Sequence, residues 1–489
     1  MSKSIFKSFM LVTGFSIATR FLSFIYKIII SRYFGAEAIG IFGMAVSFLG
    51  FFMAINSGIP LILSRKIAEG TSKIEQSKNV TFSLIVTILT YVFIAILLLA
   101  FSPLLPYYFQ NKKAVVVFYL LLPALFSSGF YSIIRAYLLG NKYFLSFSST
   151  EFLEEVLTII LTFLFTAIFA FYNGEIIIAL AVTVADITSV LVLFAIYFIK
   201  GGKIVKPSFQ KELIKNSVPI TTNRIISSLT ATFSAFIVPY KLIESGLNEM
   251  TATAIFGRFT GMCMPLISAP SALIGSLAIV LIPELASLKT SSYNGAVNKI
   301  EKSLSFSVIV AGLFVGIYMA LGEEITTLVF NDKMSGTYVT YSAIIIFPLV
   351  LTQLSTSILN TLNRENTTLK NYIISNIPML IIISTLTKKL GVLSLAIGFF
   401  TSFLINSILN LYTLNKENGL GVKLYKNIVL VLIFTATLGY FIELISQFLH
   451  YSNFINILIC VVIYVVLYGL LCYFSSLIGG KVSKLWNKK

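Results

Sequence analysis

Apolar residues run along this chain in stretches of about twenty, separated by short connections rich in lysine and arginine. A helix needs about twenty apolar residues to cross roughly 30 Å of hydrocarbon. Lipid tolerates only closed backbone hydrogen bonding, so the stretches predict transmembrane α-helices. The alternating ten-residue strands of an outer-membrane barrel do not occur in the pattern. Fourteen spans are expected, at residues 9–34, 38–63, 79–102, 114–139, 147–172, 175–199, 216–240, 251–287, 303–322, 337–361, 366–386, 391–415, 427–449 and 453–478. The eighth is long and carries Pro265, Pro270 and Pro283, so it is expected to bend. The first follows Lys3 and Lys7 and superficially resembles a signal peptide. It is too long for that, contains Arg20 and Lys27, and lacks an A-x-A cleavage site, so it reads as a retained span.

Composition sharpens this picture. The 489 residues are 57% hydrophobic and 11% charged, with a mean hydropathy of +0.93, whereas a soluble domain is about a quarter charged. The net charge of +17 would suit a nucleic-acid binder, but its placement argues for a membrane instead. Numbered in order, every second connection is basic: Arg65, Lys66, Lys73 and Lys78 form one group, and Lys200, Lys203, Lys206, Lys211 and Lys215 another. Lys481, Lys484, Lys488 and Lys489 form the tail. The positive-inside rule then puts both termini in the cytoplasm, which requires an even number of spans. These cations face anionic lipid head groups, and no nucleic-acid partner is expected.

A weak internal repeat organises the spans. Ile59-Pro60 recurs as Ile282-Pro283, and the same shift places Ser132 on Ser355 and Leu139 on Leu362. Phe42-Gly43 recurs as Phe256-Gly257 at a slightly shorter shift. The expected plan is all-α: an N-terminal six-helix bundle at 1–200, a cytoplasmic linker at 201–216, a C-terminal six-helix bundle at 217–416, and an extra helix pair with a basic tail at 417–489. Repeated halves around a central site are usual in secondary transporters.

No catalytic signature is present. The chain lacks a phosphate-cradling G-x-x-x-x-G-K-[ST] loop, an H-E-x-x-H pair and a G-x-S-x-G elbow. Cys263, Cys460 and Cys472 sit singly in apolar segments and read as packing residues, and His450 is the only histidine. No enzyme activity, cofactor or metal is expected.

Ionisable groups inside spans carry the functional information, because a charge there needs a cavity or a partner. Arg20 lies near the middle of the first span, with Lys27 two turns further along. Arg224 and Arg258 lie about two turns into the seventh and eighth spans, and Arg135 near the end of the fourth. Cations at membrane depth suit a polyanion, since the arginine fork binds phosphate oxygens bidentately. Lys27 and Arg135 also read as snorkelling towards head groups. Asp186, in the sixth span, reads either as a proton or sodium site or as the partner of an arginine. Glu151, Glu154 and Glu155 read as opening the fifth span, where acids favour a helix N-terminus, with Glu154 retained beside Asp186 as an ion-coupling candidate. Glu284 reads as interfacial. Gly257-x-x-x-Gly261 and the small residues around Gly40 and Gly43 fit close helix packing, and Pro60 and Pro283 are expected to kink their spans.

Several blocks, in order, resemble the stage V sporulation protein B family. They are Thr19-Arg20-Phe21-Leu22-Ser23-Phe24 with Gly35-Ala36-Glu37-Ala38-Ile39-Gly40, then Ser57-Gly58-Ile59-Pro60 with Ser64-Arg65-Lys66-Ile67-Ala68-Glu69. Arg135-Ala136-Tyr137 with Gly140 and Glu154, and Ile237-Val238-Pro239 with Ala254-Ile255-Phe256-Gly257, Gly261-Met262 and Pro265-Leu266-Ile267, continue the match. It runs to about residue 415, and the last two spans agree in hydropathy only. The resemblance implies the multidrug/oligosaccharidyl-lipid/polysaccharide exporter superfamily, with fourteen helices in two six-helix bundles plus a pair. Lipid II flippases of that superfamily carry R-x-x-G-F-x-R-D in the first span. Here Arg20 matches the first arginine, Ser23 replaces glycine, and Tyr26 and Lys27 stand at the last two positions, which displaces the second cation by one residue.

The resulting expectation is a monomeric flippase in the bacterial cytoplasmic membrane. It would move an undecaprenyl-pyrophosphate-linked saccharide outward by alternating access, in spore cortex or cell-wall synthesis, with Arg20, Lys27, Arg135, Arg224 and Arg258 binding substrate. Its partners would be the lipid-linked saccharide, membrane lipids and a coupling H+ or Na+. The rival readings are an ion-coupled multidrug exporter, which needs acids in its cavity, and a scaffold or glycosyltransferase, for which no connection is long enough.

Overall fold

The computed structural model describes residues 3–70, 72–169, 171–275, 293–362, 364–449 and 453–475. Ile282, Pro283, Glu284, His450 and the basic tail from Lys481 to Lys489, all singled out above, lie outside the described residues. Every regular element among the described residues is helical, and eleven of the helical segments are long and apolar enough to cross a membrane. The chain forms two compact units, Met1–Gly257 and Arg258–Lys489.

The first unit contains α1 (Lys3–Ala54), α2 (Gly58–Ala68), α3 (Lys73–Ala100), α4 (Leu105–Phe109), α5 (Lys112–Gly140), α6 (Phe144–Ile168), α7 (Gly174–Ile199), α8 (Lys211–Glu244) and α9 (Glu249–Gly257). At 1.5 Å per residue the 52 residues of α1 extend about 78 Å, more than twice what one crossing needs. Gly35 divides it: its φ of 77° is left-handed, a conformation that costs glycine nothing and other residues much. The break falls where the sequence pattern separates the first two spans. The second stretch stops at Ala54 and resumes as α2, so Pro60 lies in a first turn, where its missing N–H is no loss. The chain therefore bends before Pro60 rather than at it.

α6 begins at Phe144, seven residues ahead of Glu151, and has no acid in its first turn. The expected capping role of Glu151, Glu154 and Glu155 is corrected accordingly: they are interior residues. The physical reason is the tightness of the preceding turn. Lys142 adopts a left-handed φ of 62° and Tyr143 N donates to Leu138 O at 2.8 Å, so the helix restarts at once. The same three glutamates keep α6 out of the eleven strongly apolar segments.

The core of this unit joins Ile59, Leu63 and Ile67 of α2, Val80 and Leu84 of α3, Ile133 and Tyr137 of α5, and Leu193 and Tyr197 of α7. Small residues let helix backbones touch, as the sequence suggested. A side chain on Gly40 would collide with the Thr253 carbonyl, and one on Gly257 with the Ala36 carbonyl. Gly58 N donates to Thr221 Oγ1 at 3.2 Å, tying α2 to α8, and Thr232 Oγ1 donates to Ser47 O at 2.8 Å, tying α8 to α1.

The second unit opens with a π-helical turn, Arg258–Cys263, followed by α10 (residues 264–275). Pro265 has no N–H for the Gly261 carbonyl, which disturbs the helical ladder just ahead of it, where the π-helical turn lies. Then follow α11 (Tyr293–Phe330), broken at Leu321, α12 (Lys333–Ser342), α13 (Ile346–Thr361), α14 (Glu365–Leu390), α15 (Leu393–Asn418), α16 (Val422–Phe448) and α17 (Asn453–Phe474). A buried amide relay knits three of them: Asn371 Nδ2 donates to Asn410 Oδ1 at 2.9 Å, and Asn410 Nδ2 to Thr356 Oγ1 at 3.0 Å. Tyr464 and Tyr468 of α17 donate to the Gly312 and Ile309 carbonyls of α11 at 2.7 and 2.9 Å.

Packing at the glycines makes a direct prediction. Gly257→Ala should lower stability by roughly 1–3 kcal/mol, seen as a drop of the melting temperature in detergent. Gly469→Ala, where an added methyl meets nothing within 4 Å, should match or exceed the parent protein. Equal behaviour of the two variants would show that the α1–α9 approach is not tight.

Candidate functional site

A cavity of about 610 Å³ opens within the first unit, a size suited to a small-molecule ligand. Its wall comes from five helices. The end of α1 and start of α2 contribute Met53, Asn56, Ser57, Pro60 and Ser64; α3 contributes Thr87 and Tyr91; α5 contributes Ser128, Ser132 and Arg135; α8 contributes Arg224, Ser227 and Ser228. On α5 the spacing of four and three residues, and on α8 of three and four, puts each set on one helical face. The wall is hydroxyl-rich, carries two arginines, and has no acidic residue among the described residues.

The two arginines differ in their surroundings. Arg135 Nη2 meets Glu151 Oε1 at 2.6 Å, and its guanidinium lies 5.1 Å from the Phe147 ring. Arg135 Nε is buried without a hydrogen-bond partner. Arg224 is exposed and makes no ion pair among the described residues. The cavity therefore has one cation restrained by a carboxylate and one free to meet an anion.

The remaining predicted site residues lie elsewhere. Arg20 is exposed on α1, without an ion pair among the described residues, and does not line the cavity. Lys27, also exposed on α1 and outside that lining, stands within electrostatic reach of Glu155, whose carboxylate accepts from Ser23 Oγ. Glu154 and Asp186 are half-buried on α6 and α7 and belong to one group of interacting carboxylates with Glu151 and Glu155, beside Tyr131. Arg258 belongs to the second unit. There its Nε donates to Asp332 Oδ2 at 2.8 Å, while Asp332 Oδ1 accepts from Ser335 N at 2.7 Å as the N-cap of α12. Among the described residues no group of three or more His, Cys, Asp or Glu is placed to hold a metal.

Of the five predicted cations, the structure thus brings Arg135 and Arg224 together at one cavity. The neutral lining went unnoticed in the sequence. Its signal was there: small polar residues at helical spacing beside an arginine, at Ser128, Ser132 and Arg135 and again at Arg224, Ser227 and Ser228.

Known proteins share this plan. Residues 5–289 match the model of a family described as polysaccharide biosynthesis protein. Stage V sporulation protein B of Bacillus subtilis (strain 168) is 23% identical over 481 residues, covering 92% of this chain and 91% of that protein. The similarity therefore reaches beyond the blocks recognised in the sequence, which stop near residue 415. Among solved structures, lipid II flippase MurJ in an inward closed conformation superposes with a TM-score of 0.77 at 14% identity, covering 95% of this chain and 98% of that one. An inward-facing multidrug resistance MATE family transporter of the MOP superfamily gives a TM-score of 0.69 at 15% identity, covering 83% and 96%. At such identities the likeness is one of fold.

The pairing pattern predicts how the arginines contribute to stability. Arg224→Ala should leave the stability of the ligand-free protein within about 0.5 kcal/mol of the parent. Arg135→Ala, which strips Glu151 of its partner, should cost roughly 1 kcal/mol or more. Thermal denaturation in detergent compares them, and a larger loss for Arg224→Ala would contradict the assignment.

Proposed function

Because the chain belongs to the polysaccharide biosynthesis protein family, we propose that it is a flippase that carries a lipid-linked saccharide across the bacterial cytoplasmic membrane. The carrying observation is the cavity of the first unit: a free arginine, a second arginine held by Glu151, and a wall of hydroxyl groups. Arg224 would take the phosphate or pyrophosphate of the headgroup, since a guanidinium at membrane depth is stabilised by an anion it can grip bidentately. Arg135 would join it once its contact with Glu151 loosens. The serines suit a saccharide, which needs many neutral donors and acceptors and little charge. The polyprenyl tail would remain in lipid. The names of two relatives, a lipid II flippase and a stage V sporulation protein, favour an undecaprenyl-pyrophosphate-linked peptidoglycan precursor as the substrate.

The fourteen-span topology with cytoplasmic termini and six-helix halves belongs to the same proposal. Eleven apolar segments support it when α1 is counted twice about Gly35 and α6 and the α9–α10 region are added. Arg20 and Lys27 on α1 remain proposed contacts for the headgroup in another state of the transport cycle, as does Arg258 if it exchanges Asp332 for substrate. Glu154 and Asp186 are proposed as the ion-coupling pair, with H+ or Na+ as the ion, because interacting half-buried carboxylates favour taking up a cation.

A multidrug exporter is the second reading, favoured by that carboxylate group and by the fold it shares with a MATE transporter. Its cationic substrates would meet Arg224 and no acid along the cavity wall, and for that reason the saccharide lipid is preferred.

Proteoliposomes test the choice. The protein should move undecaprenyl-pyrophosphate-linked disaccharide between leaflets, and Arg224→Ala should slow that movement by about tenfold or more while leaving the protein folded. Normal transfer by Arg224→Ala would remove it from the site. Export of cationic dyes without lipid transfer would favour the second reading.

A further inference from the structure

We propose that Asn56, Thr87 and Tyr91 form a sugar-reading subsite in the cavity of the first unit, separate from the two arginines; it rests on the reading of that cavity as a saccharide-lipid site. Thr87 is 1% exposed and Asn56 7%, yet both border the cavity. Thr87 Oγ1 is a buried atom without a hydrogen-bond partner, and Asn56 Nδ2 has no polar neighbour but the Tyr91 hydroxyl. A threonine inside a helix ordinarily returns its hydroxyl to the carbonyl four residues back. On the same helix Thr81 does so to Ser77 and Thr90 to Val86, at 2.9 and 2.8 Å. Thr87 does not. Its hydroxyl is held for something other than its own backbone.

The neighbours hold these groups in place. Tyr91, one turn beyond Thr87 and 2% exposed, has its hydroxyl beside the Asn56 amide and 3.5 Å from the Met53 carbonyl. Asn56 stands in the turn between α1 and α2, where no helical ladder occupies its side chain. Gly129 of α5 makes room: a Cβ there would lie 2.6 Å from Thr87 Cγ2 and 2.5 Å from a Tyr91 ring carbon.

An amide N–H that can only donate and a hydroxyl that can accept, both in the lining of one cavity, suit an acceptor and a donor on a sugar ring. Two sugar features present that pair: an acylamino group, through its carbonyl and N–H, and two adjacent hydroxyls. A phosphate offers acceptors alone and is better served by Arg224. The cavity then divides its work, with charge recognition at Arg135 and Arg224 and sugar reading at Asn56 and Thr87. A site built from buried polar groups also discriminates strongly, because a ligand lacking the matching group leaves them unpaired.

The test uses the full chain in lipid nanodiscs and three ligands: undecaprenyl pyrophosphate, the same lipid bearing an N-acetylhexosamine, and the same lipid bearing a plain hexose. Thr87→Val removes the unpaired hydroxyl and keeps the shape, so the ligand-free melting temperature should hold or rise. Affinity for a sugar-bearing lipid should fall about tenfold in Thr87→Val and in Asn56→Ala, while affinity for bare undecaprenyl pyrophosphate stays unchanged. Arg224→Ala should weaken all three. Loss on the N-acetylhexosamine lipid alone identifies the acylamino group as the feature read, and loss on both sugars identifies the hydroxyl pair. Sugar-lipid affinities equal to the parent in both variants, or equal losses on all three ligands, overturn the subsite and leave the phosphate reading intact. Failure of the parent protein to bind any of the three overturns both.

Discussion

A cation at membrane depth must meet a carboxylate or water, and that demand sorts the basic residues of this chain. Arg135 is answered by Glu151 and Arg258 by Asp332. Arg224 is answered by the cavity. A polar cavity in turn requires helices that approach closely around it, or lipid would fill the space. The glycines supply that approach: Gly58 brings α2 to α8, and Gly129 lets Thr87 and Tyr91 of α3 press against α5. Packing and charge are one design, because the small residues that admit close backbones also shape the cavity that Arg224 lines.

Much of the fold was legible because hydrophobic length is a strong signal. The break at Gly35, the π-helical turn ahead of Pro265 and the packing at Gly40 and Gly257 all followed from local chemistry at single residues. The start of α6 was less legible, since the short turn through Lys142 carries no proline or glycine after Gly140 to mark how soon a helix resumes. The acids of that helix were misread as caps for the same reason.

For the candidate site, sequence gives depth along a span but not which way a side chain faces across spans. Arg224 and Arg258 look alike at that level, both about two turns into a helix. Their difference comes from Asp332, 74 positions beyond Arg258 and capping α12. The neutral groups were harder still. Thr87 stands out only because its hydroxyl lacks a partner, and a missing hydrogen bond cannot be read from residue order. Family membership restricts the chemistry to saccharide biosynthesis, while the distribution of charge around the cavity decides which part of such a substrate each wall would hold.

In the proposed mechanism Arg224 lines an aqueous space which the anionic headgroup occupies. Replacing its cavity neighbour Ser228 by cysteine, with Arg224 left intact, and exposing the protein to a membrane-impermeant thiol reagent tests this directly, against a low background because Cys263, Cys460 and Cys472 are buried. Rapid labelling at position 228 is expected, suppressed by an undecaprenyl-pyrophosphate-linked saccharide. A position 228 thiol that stays unreactive, or reacts equally with and without that lipid, would overturn this reading.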